Sequence, residues 1–242
     1  MALYLIGLGL GDERDITIKG LSIIKQARKI YLDVYTSQLQ VNIDTLASYY
    51  GKNIIAAGRD ILENNMEQII EEARKEDVAL LIIGSPTAAT THFTYLLEAK
   101  KKNVDVHIIE NASIFSAIGI TGLFLYKFGT VVSIPRDNNH LETPYQNYLN
   151  NQKQGNHTLF LLDTQDKPLT AREGLDYLLS KGLPTTTTII GCAALGSEEP
   201  ELQTGTAATL QLQKYPQCFI IPGKLHYLEE EALEFWKNHE LP

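Results

Sequence analysis

The sequence predicts an α/β protein whose amino-terminal half contains a parallel sheet. The first observation is an unbroken apolar run at residues 78–83, which has the length and composition of a strand buried on both faces. The second is the alternation of short apolar runs with segments of helical periodicity around it. The third is a pair of glycine-containing turns, at residues 7–11 and 84–86, each directly after an apolar run. In such sheets ligands bind beyond the carboxyl ends of the strands, so these turns indicate the expected site.

The segments of the amino-terminal half follow this alternation in order. Strands are predicted at residues 2–6, 29–33, 78–83 and 104–109, and helices at residues 18–28, 42–50, 60–75 and 93–102. Thr17 is the expected N-cap of the first helix, because its side chain can accept a hydrogen bond from a free helical amide. For residues 84–92, the plain interpretation is a strand-loop-helix connection whose threonines only cap the helix. A ligand-binding turn is the alternative.

Residues 110–113 are the predicted boundary between two domains, 1–110 and 113–242. Directly beyond it, a helix is predicted at residues 114–124. Its small residues suit close packing against another helix or against the second subunit of a dimer.

The rest of the carboxyl-terminal half mixes strands and helices. Strands are predicted at residues 131–134, 158–162, 185–191 and 219–222, and a short helix at residues 145–151. A capping box of Thr170 and Glu173 predicts a helix over residues 170–181. Residues 202–212 fit either a strand or a helix. An acidic helix at residues 229–238 closes the chain and is expected to be a solvated face.

The composition is typical of a soluble globular protein with a sizeable core. Of its 242 residues, 44% are apolar and 21% are charged, and the formal net charge is −8. This acidic balance argues against a nucleic-acid-binding face and favours a basic partner or a cationic ligand. No apolar run is long enough to span a membrane and no signal peptide is recognised, so a cytoplasmic location is expected. Cys192 and Cys218 are expected to be reduced and buried.

The first glycine turn matches a dinucleotide-binding fingerprint only in part. Such a fingerprint requires a different spacing of the third glycine, although Asp33 ends the next strand where an acidic residue is needed. Asp12, Glu13 and Asp15 follow the turn directly, and carboxylates at a helix start repel a pyrophosphate. A ligand without phosphates, carrying positive charge, is therefore favoured. Asp12 and Asp15 either face such a ligand or cap the following helix.

Several sequence blocks recur, in this order and spacing, in one protein family. They are residues 7–17 (GLGLGDERDIT), 35–37 (YTS), 88–92 (AATTH), 112–114 (ASI), 119–123 (GITGL), 126–129 (YKFG) and 222–226 (PGKLH). With these blocks the chain resembles the diphthine synthases, which are diphthamide-pathway methyltransferases of archaea and eukaryotes in the tetrapyrrole-methylase superfamily. The similarity extends from the first predicted strand to the last predicted helix.

This resemblance implies two α/β domains of the class III methyltransferase type, with S-adenosylmethionine (SAM) in the cleft between them. It also implies a homodimer. The implied substrate is translation elongation factor 2, in which a modified histidine is methylated. In archaea the acceptor is the amino group of the 3-amino-3-carboxypropyl arm on that histidine. The number of methyl groups transferred does not follow from the sequence.

Carried over position by position, the resemblance places the SAM contacts at Leu10, Ser85, Ala88, Ser113, Ile114, Leu162, Leu195 and His226. Most of these would be backbone contacts, which accounts for the apolar residues among them. The family usually has an aspartate where this chain has Ser85. Because SAM carries a sulfonium and an ammonium, Ser85→Asp is expected to tighten binding about fivefold. Catalysis is expected to rest on positioning and exclusion of water, and no general base is assigned.

Two other functions on the same fold stay open at this point. One is a methylase of a precorrin-type tetrapyrrole, which would need a wide apolar trough. The other is a SAM-binding module without activity, which the departure at Ser85 suggests. His92 either orients a substrate or, as the favoured interpretation, is a buried histidine that donates to a backbone carbonyl. No metal-ligand cluster is recognised, so no metal is expected.

Overall fold

The computed structural model describes residues 1–37, 39–138, 140–164 and 167–238. The chain divides into two compact units, Met1–Ile114 (unit 1) and Phe115–Pro242 (unit 2). Within the described residues, each unit combines a five-stranded sheet with α-helices. The predicted α/β fold class is therefore confirmed.

Unit 1 is built on a parallel sheet, as the alternation of strands and helices predicts. Its strands are β1 (Ala2–Gly7), β2 (Lys29–Asp33), β3 (Ile55–Ala57), β4 (Val78–Ile82) and β5 (Asp105–Ile109). Their order in the sheet is β3-β2-β4-β1-β5, and each neighbouring pair is parallel. Every residue of β4 is buried, as expected for a strand that is covered on both faces.

Helices cover both faces of this sheet. They are α1 (Ile18–Gln26), α2 (Ile43–Tyr50), α3 (Met66–Ala73) and α4 (Phe93–Lys101). One apolar cluster contains Leu3 and Leu80 of the sheet together with Ile70 of α3. A second cluster contains Ile6 and, from α1, Ile24. Because successive strand residues point to opposite faces, β1 contributes to both clusters.

The helix predicted at residues 60–75 is interrupted. A single π-helical turn, Asp60–Asn64, precedes α3, and the break falls at Asn65. The side chains of Asn64 and Asn65 donate to the Asp60 carboxylate at 2.9 and 3.1 Å. Such local side-chain hydrogen bonds compete with the helical ladder. Strand β3 was not predicted, because three residues are too few to show a strand period.

Unit 2 contains a mixed sheet. Its strands are β6 (Val132–Ile134), β7 (Thr158–Leu162), β8 (Thr188–Ala193), β9 (Glu201–Thr206) and β10 (Gln217–Ile221). Their order is β6-β7-β10-β8-β9. Strands β6 and β7 are parallel, whereas β10 is antiparallel to both β7 and β8. Strands β7 and β8 therefore run in the same direction, and β10 runs in the opposite direction.

The helices of unit 2 are α5 (Ile114–Ala117, whose first residue belongs to unit 1), α6 (Thr143–Gln154), α7 (Ala171–Ser180) and α8 (Tyr227–Asn238). Helix α7 begins with the predicted capping box of Thr170 and Glu173. Helix α6 is longer than predicted and has Pro144 in its first turn, where a missing amide hydrogen costs nothing. Strand β9 occupies the first part of the segment that fitted either a strand or a helix.

The prediction of one helix over residues 114–124 is wrong. Helix α5 ends at Ala117, a 3-10 turn covers Ile118–Thr121, and Gly122 has a left-handed φ of +81°. The Thr121 hydroxyl donates to the carbonyl oxygen of Ile118 at 2.7 Å. A Cβ at Gly122 would lie only 2.3 Å from the Cβ of Ala232 in α8. This glycine therefore allows close packing within unit 2.

Candidate functional site

The carboxyl ends of β4, β1 and β5 are neighbours in unit 1, and the two glycine turns meet there. The amide of Gly84 donates to the carbonyl of Gly9 at 2.7 Å, and the amide of Gly9 donates to the carbonyl of Gly84 at 3.3 Å. A Cβ at Gly7 would lie 2.6 Å from the Gly84 carbonyl oxygen and 2.8 Å from the Cβ of Asn111. Glycine is needed here because protein segments approach one another closely. The two turns form one site.

Asp15 and Asn111 hold the first glycine turn in place. One carboxylate oxygen of Asp15 accepts from the amides of Leu10 and Gly11, at 3.2 and 2.8 Å. The side-chain amide of Asn111 donates to the carbonyl oxygens of Gly7 and Asp15, both at 3.0 Å. Since the Leu10 amide is used within the turn, a ligand contact by Leu10 has to come from its carbonyl oxygen or its side chain.

The acidic loop after this turn binds its own residues. Asp12 caps the short 3-10 helix Glu13–Asp15, accepts from the Arg14 amide at 2.8 Å and pairs with the Arg14 guanidinium. Hydrogen bonding from this guanidinium lowers the pKa of Asp12, so its carboxylate stays ionised. Helix α1 is capped by Thr17, as predicted. Asp12 and Asp15 thus bind residues of their own loop, and the prediction that they cap the helix after Thr17 is wrong.

Ser85 lies directly after β4, and its hydroxyl donates to a carboxylate. The acceptor is Oε2 of Glu110, which follows β5, and the Thr87 hydroxyl donates to Oε1 of the same residue at 3.0 Å. Ser85 is buried, whereas Glu110 is exposed. The sequence interpretation assigned Glu110 only to a domain boundary. The missed signal is its position at the carboxyl end of a strand.

Asp33 and His92 form a buried pair at the same edge of the sheet. Nε2 of His92 lies 3.0 Å from Oδ2 of Asp33, and its Nδ1 contacts the Thr90 hydroxyl. Oδ1 of Asp33 accepts from the amides of Tyr35 and Thr36, at 2.8 and 3.0 Å. Burial raises the pKa of Asp33, but the hydrogen bonds from His92 and residues 35–36 outweigh burial and lower it. The prediction that His92 donates to a backbone carbonyl is wrong, and Asp33 has no oxygen left for a nucleotide ribose.

The other predicted contacts of unit 1 are Ala88, Ser113 and Ile114. The Ala88 amide donates to the Ser85 carbonyl at 3.2 Å and closes the turn after β4. Its neighbour Ala89 has a left-handed φ of 55°, a conformation that costs a non-glycine residue about 1–2 kcal/mol. Ser113 and Ile114 are half-buried and lie in the segment after β5. The predicted contacts of unit 1 thus all follow β1, β4 or β5.

The predicted contacts of unit 2 do not share one edge of its sheet. Leu162 ends β7 and Leu195 follows β8, and these strands run in the same direction, so both residues lie at one edge. His226 follows β10, whose last residue, Ile221, pairs with Thr158 at the start of β7. His226 is therefore apart from Leu162 and Leu195 within unit 2.

His226 lines an open pocket of about 640 Å³ in unit 2. Its other walls include Phe124, Tyr126, Asn156 and Lys224. The imidazole of His226 lies 5.4 Å, centroid to centroid, from the Phe124 ring. The pocket thus presents aromatic and cationic side chains.

Glu229 of α8 is buried beside this pocket. Its Oε2 accepts from the His226 amide at 2.8 Å and pairs with the Lys127 ammonium. Its Oε1 accepts from the Phe124 amide at 2.8 Å and from Nε2 of His157 at 2.9 Å. The backbone amide of residue 223 donates to Nδ1 of His157, so Nε2 carries the hydrogen and the ring is neutral.

These contacts shift the pKa values of Glu229 and His157. Burial raises the pKa of Glu229, but the hydrogen bonds from Lys127, two backbone amides and His157 outweigh burial and lower it to about 2. Burial lowers the pKa of His157, against the opposing effect of Glu229. The prediction that the closing helix is a solvated face is therefore wrong at Glu229. The missed signal is a glutamate in the first helical turn that accepts the amide of His226, as in half of a capping box.

Comparison with known proteins gives results that agree with each other. The family model described as "Tetrapyrrole (Corrin/Porphyrin) Methylases" matches residues 2–211. Diphthine synthases of Methanococcus maripaludis and Methanocaldococcus jannaschii are 41% identical, over 96% of this chain and 98% of theirs. A "Probable diphthine methyl ester synthase" of Arabidopsis thaliana is 35% identical over 97% of this chain and 98% of its own. The chain belongs to the diphthine synthase family of tetrapyrrole methylases.

A solved structure agrees with this membership. The crystal structure of a diphthine synthase superimposes with a TM-score of 0.93 at 32% identity, covering 98% of this chain and 96% of that one. The predicted diphthine synthase resemblance, methyltransferase class and two-domain α/β fold are thereby confirmed. The individual SAM contacts stay predictions.

The described residues contain no cluster of three or more histidine, cysteine, aspartate or glutamate side chains arranged to hold a metal ion.

No helix within the described ranges is long and apolar enough to cross a membrane. Both cysteines are buried, as predicted, and they face each other across β8 and β10.

Proposed function

We propose that this protein is the SAM-dependent methyltransferase that methylates the amino group of the 3-amino-3-carboxypropyl-histidine of translation elongation factor 2, in diphthamide biosynthesis. The observation that carries this proposal is the 41% identity to diphthine synthases across 96% of the chain. Fold similarity alone would suit any tetrapyrrole methylase. Identity spread over both units favours the diphthine synthases over the other members of the superfamily.

We propose SAM as the cofactor, held by Leu10, Ser85, Ala88, Ser113, Ile114, Leu162, Leu195 and His226. The strand-end site of unit 1 fits such a ligand, because the Glu110 carboxylate, which among the described residues accepts only from the hydroxyls of Ser85 and Thr87, favours a cation and disfavours a phosphate. When bound, SAM supplies a methyl group on a positively charged sulfur. Backbone groups of the glycine turns, fixed by Asp15 and Asn111, would orient it.

The acceptor amine has to lose its proton before it can attack, because an ammonium has no lone pair. Both ring nitrogens of His92 and of His157 already have protein partners, so neither is assigned as general base. Catalysis therefore rests on positioning and exclusion of water, with the amine proton passing to water. The rate of methyl transfer should therefore rise with pH as the acceptor amine loses its proton.

We also propose a cytoplasmic homodimer, on the basis of the family resemblance. Light scattering would test the assembly. A mass near 27.0 kDa at every concentration would identify a monomer and remove the proposal of a dimer.

The function is tested by incubating the protein with SAM labelled in its methyl group and three candidate acceptors. They are elongation factor 2 that bears the unmethylated arm, the same factor with unmodified histidine, and a precorrin. Label should enter the first acceptor alone. Label on the precorrin would support the tetrapyrrole alternative. SAM binding without transfer to any acceptor would support the inactive module.

A further inference from the structure

We infer that Glu110 is the residue that binds the α-ammonium group of SAM in this protein. This inference rests on the proposed function. The family resemblance places a SAM contact at position 85, where the family usually has an aspartate and this chain has a serine. The structure places a carboxylate in contact with that serine. A charge that is absent from the end of β4 is thus supplied from the end of β5.

The position of Glu110 follows from the order of the strands. Strands β4 and β5 flank β1 on its two sides, so the hydrogen bond from Ser85 to Glu110 connects segments on either side of the glycine turn. The same segments come together above Gly7, whose missing Cβ would meet the Gly84 carbonyl and the Asn111 side chain. Glu110 therefore belongs to the site that carries Leu10 and Ser85.

The chemistry of Glu110 suits an ammonium ligand. Ser85 and Thr87 each donate to a different oxygen of its carboxylate, which fixes its orientation. Each oxygen keeps another lone pair, and an ionised carboxylate can only accept hydrogen bonds. An ammonium group offers several N–H donors together with the opposite charge. A hydrogen bond of this charged kind is stronger than one between neutral groups.

Glu110 also differs from the neighbouring carboxylates. Asp12 pairs with Arg14, Asp33 pairs with His92, and Asp15 accepts two backbone amides. Among the described residues, Glu110 forms no ion pair with a lysine or arginine, and it is exposed. Its charge is therefore available to a ligand cation.

This assignment reverses the expectation for Ser85→Asp. An aspartate at position 85 would place a second carboxylate against Glu110, and two adjacent carboxylates cannot both ionise at normal cost. The single variant should therefore bind SAM no more tightly than the natural protein. In Ser85→Asp/Glu110→Gln, the charge moves back to position 85 without a like-charged neighbour.

Titration calorimetry with three ligands tests the inference. SAM and S-adenosylhomocysteine both carry the α-ammonium, whereas 5′-methylthioadenosine lacks the whole amino-acid portion. Glu110→Gln should weaken binding of the first two equally, by about fivefold. It should leave 5′-methylthioadenosine unchanged, which also verifies that the variant is folded. Ser85→Asp/Glu110→Gln should recover most of the lost affinity. Glu76→Gln, which removes the same charge just before β4 at the opposite edge of the sheet, should change nothing.

Equal affinity of Glu110→Gln and the natural protein for SAM would overturn the assignment. So would an equal loss for 5′-methylthioadenosine, since Glu110 would then act on the nucleoside or on the fold. A natural protein that binds none of the three ligands would instead contradict the proposed function itself.

Discussion

Unit 1 and unit 2 each contain a buried histidine that is paired with a carboxylate. In unit 1, His92 lies 3.0 Å from Asp33, and in unit 2, His157 lies 2.9 Å from Glu229. The other donors differ. Asp33 receives backbone amides and a hydroxyl, whereas Glu229 also receives the ammonium of Lys127. The carboxylate of the pair thus accepts from backbone amides and a hydroxyl in unit 1, and from backbone amides and a lysine ammonium in unit 2.

The contacts of each carboxylate show which chain segments the pair connects. Asp33 connects the loop after β2 to the segment before α4, at the edge that carries the strand-end site. Glu229 connects the start of α8 to Phe124, Lys127 and His157, which lie far away in the sequence. Both pairs fix backbone segments, and neither leaves a histidine nitrogen for proton transfer. A buried histidine beside a carboxylate is therefore weak evidence of a catalytic pair.

The largest expected effect of breaking these pairs is at Glu229. Glu229→Gln removes the counter-charge of Lys127, which is only 23% exposed, so the variant should lose about 3 kcal/mol of unfolding free energy. Urea titration followed by fluorescence of Trp236, the only tryptophan, reports this directly in unit 2. The exposed neighbour offers a control, since Glu230→Gln should cost less than about 0.5 kcal/mol. Equal midpoints for both variants would show that the charge pair contributes nothing.

A smaller effect is expected at Asp33, because no lysine or arginine among the described residues pairs with its carboxylate. Asp33→Asn weakens charge-assisted hydrogen bonds and should cost about 2 kcal/mol. Urea titration followed by circular dichroism measures the change. Asp105→Asn, at an exposed position at the start of β5, is the matched control. If Asp33→Asn were the more damaging of the two pair variants, the ranking by counter-charge would be wrong.

The smallest effect is a pH dependence from His157. Its pKa in the folded state lies below the ordinary value of 6.5, so the unfolded chain binds the proton more readily. This contribution to stability is complete above pH 6.5 and decreases as the pH falls toward the folded pKa. Lowering the pH from about 7.5 to 5.5 should therefore reduce the free energy of unfolding. His157→Asn should show a correspondingly flatter dependence, and an unchanged slope would contradict the assignment.

Glu229 contributes in a separate, more acidic window. Its folded pKa is about 2, against an ordinary value of 4.5. Its stabilisation is therefore complete above about pH 4.5 and is lost as the pH falls toward 2. The contributions of His157 and Glu229 to stability can thus be measured separately, because they are lost in different pH ranges.

Local features of the fold could be predicted from the sequence, because their causes are local. The apolar run of β4, the Thr17 cap and the Thr170–Glu173 capping box each depend on neighbouring residues. Apart from the break at Asn65, which has local causes, the main failures depend on contacts between distant residues. From the sequence, Glu229 is expected to be exposed to solvent, but in the structure it contacts His157 and Lys127. Likewise, the sequence indicates only a domain boundary at Glu110, whereas in the structure its carboxylate accepts from the Ser85 hydroxyl. The chain segment at residues 114–124 has helical composition, but its α-helix ends at Ala117, and Gly122 beyond it packs against Ala232 of α8.

The candidate site was predictable only as far as its edge of the sheet. The rule that ligands bind at the carboxyl ends of parallel strands placed the two glycine turns together, whereas Leu10, Ser85 and Ala88 came from the family resemblance. It could not identify which carboxylate provides charge there. In unit 2, the contacts taken from the resemblance fall at different edges of an antiparallel arrangement, where that rule does not apply.

The most direct test of the proposed function is mass spectrometry of the modified-histidine peptide of elongation factor 2, before and after reaction with SAM and this protein. The account predicts added methyl groups on the amine of the 3-amino-3-carboxypropyl arm, retained after mild alkali. Methyl groups that alkali removes would identify a carboxylate ester as the acceptor, the chemistry named for the Arabidopsis relative. A peptide of unchanged mass, from a reaction in which the protein binds SAM, would contradict the account.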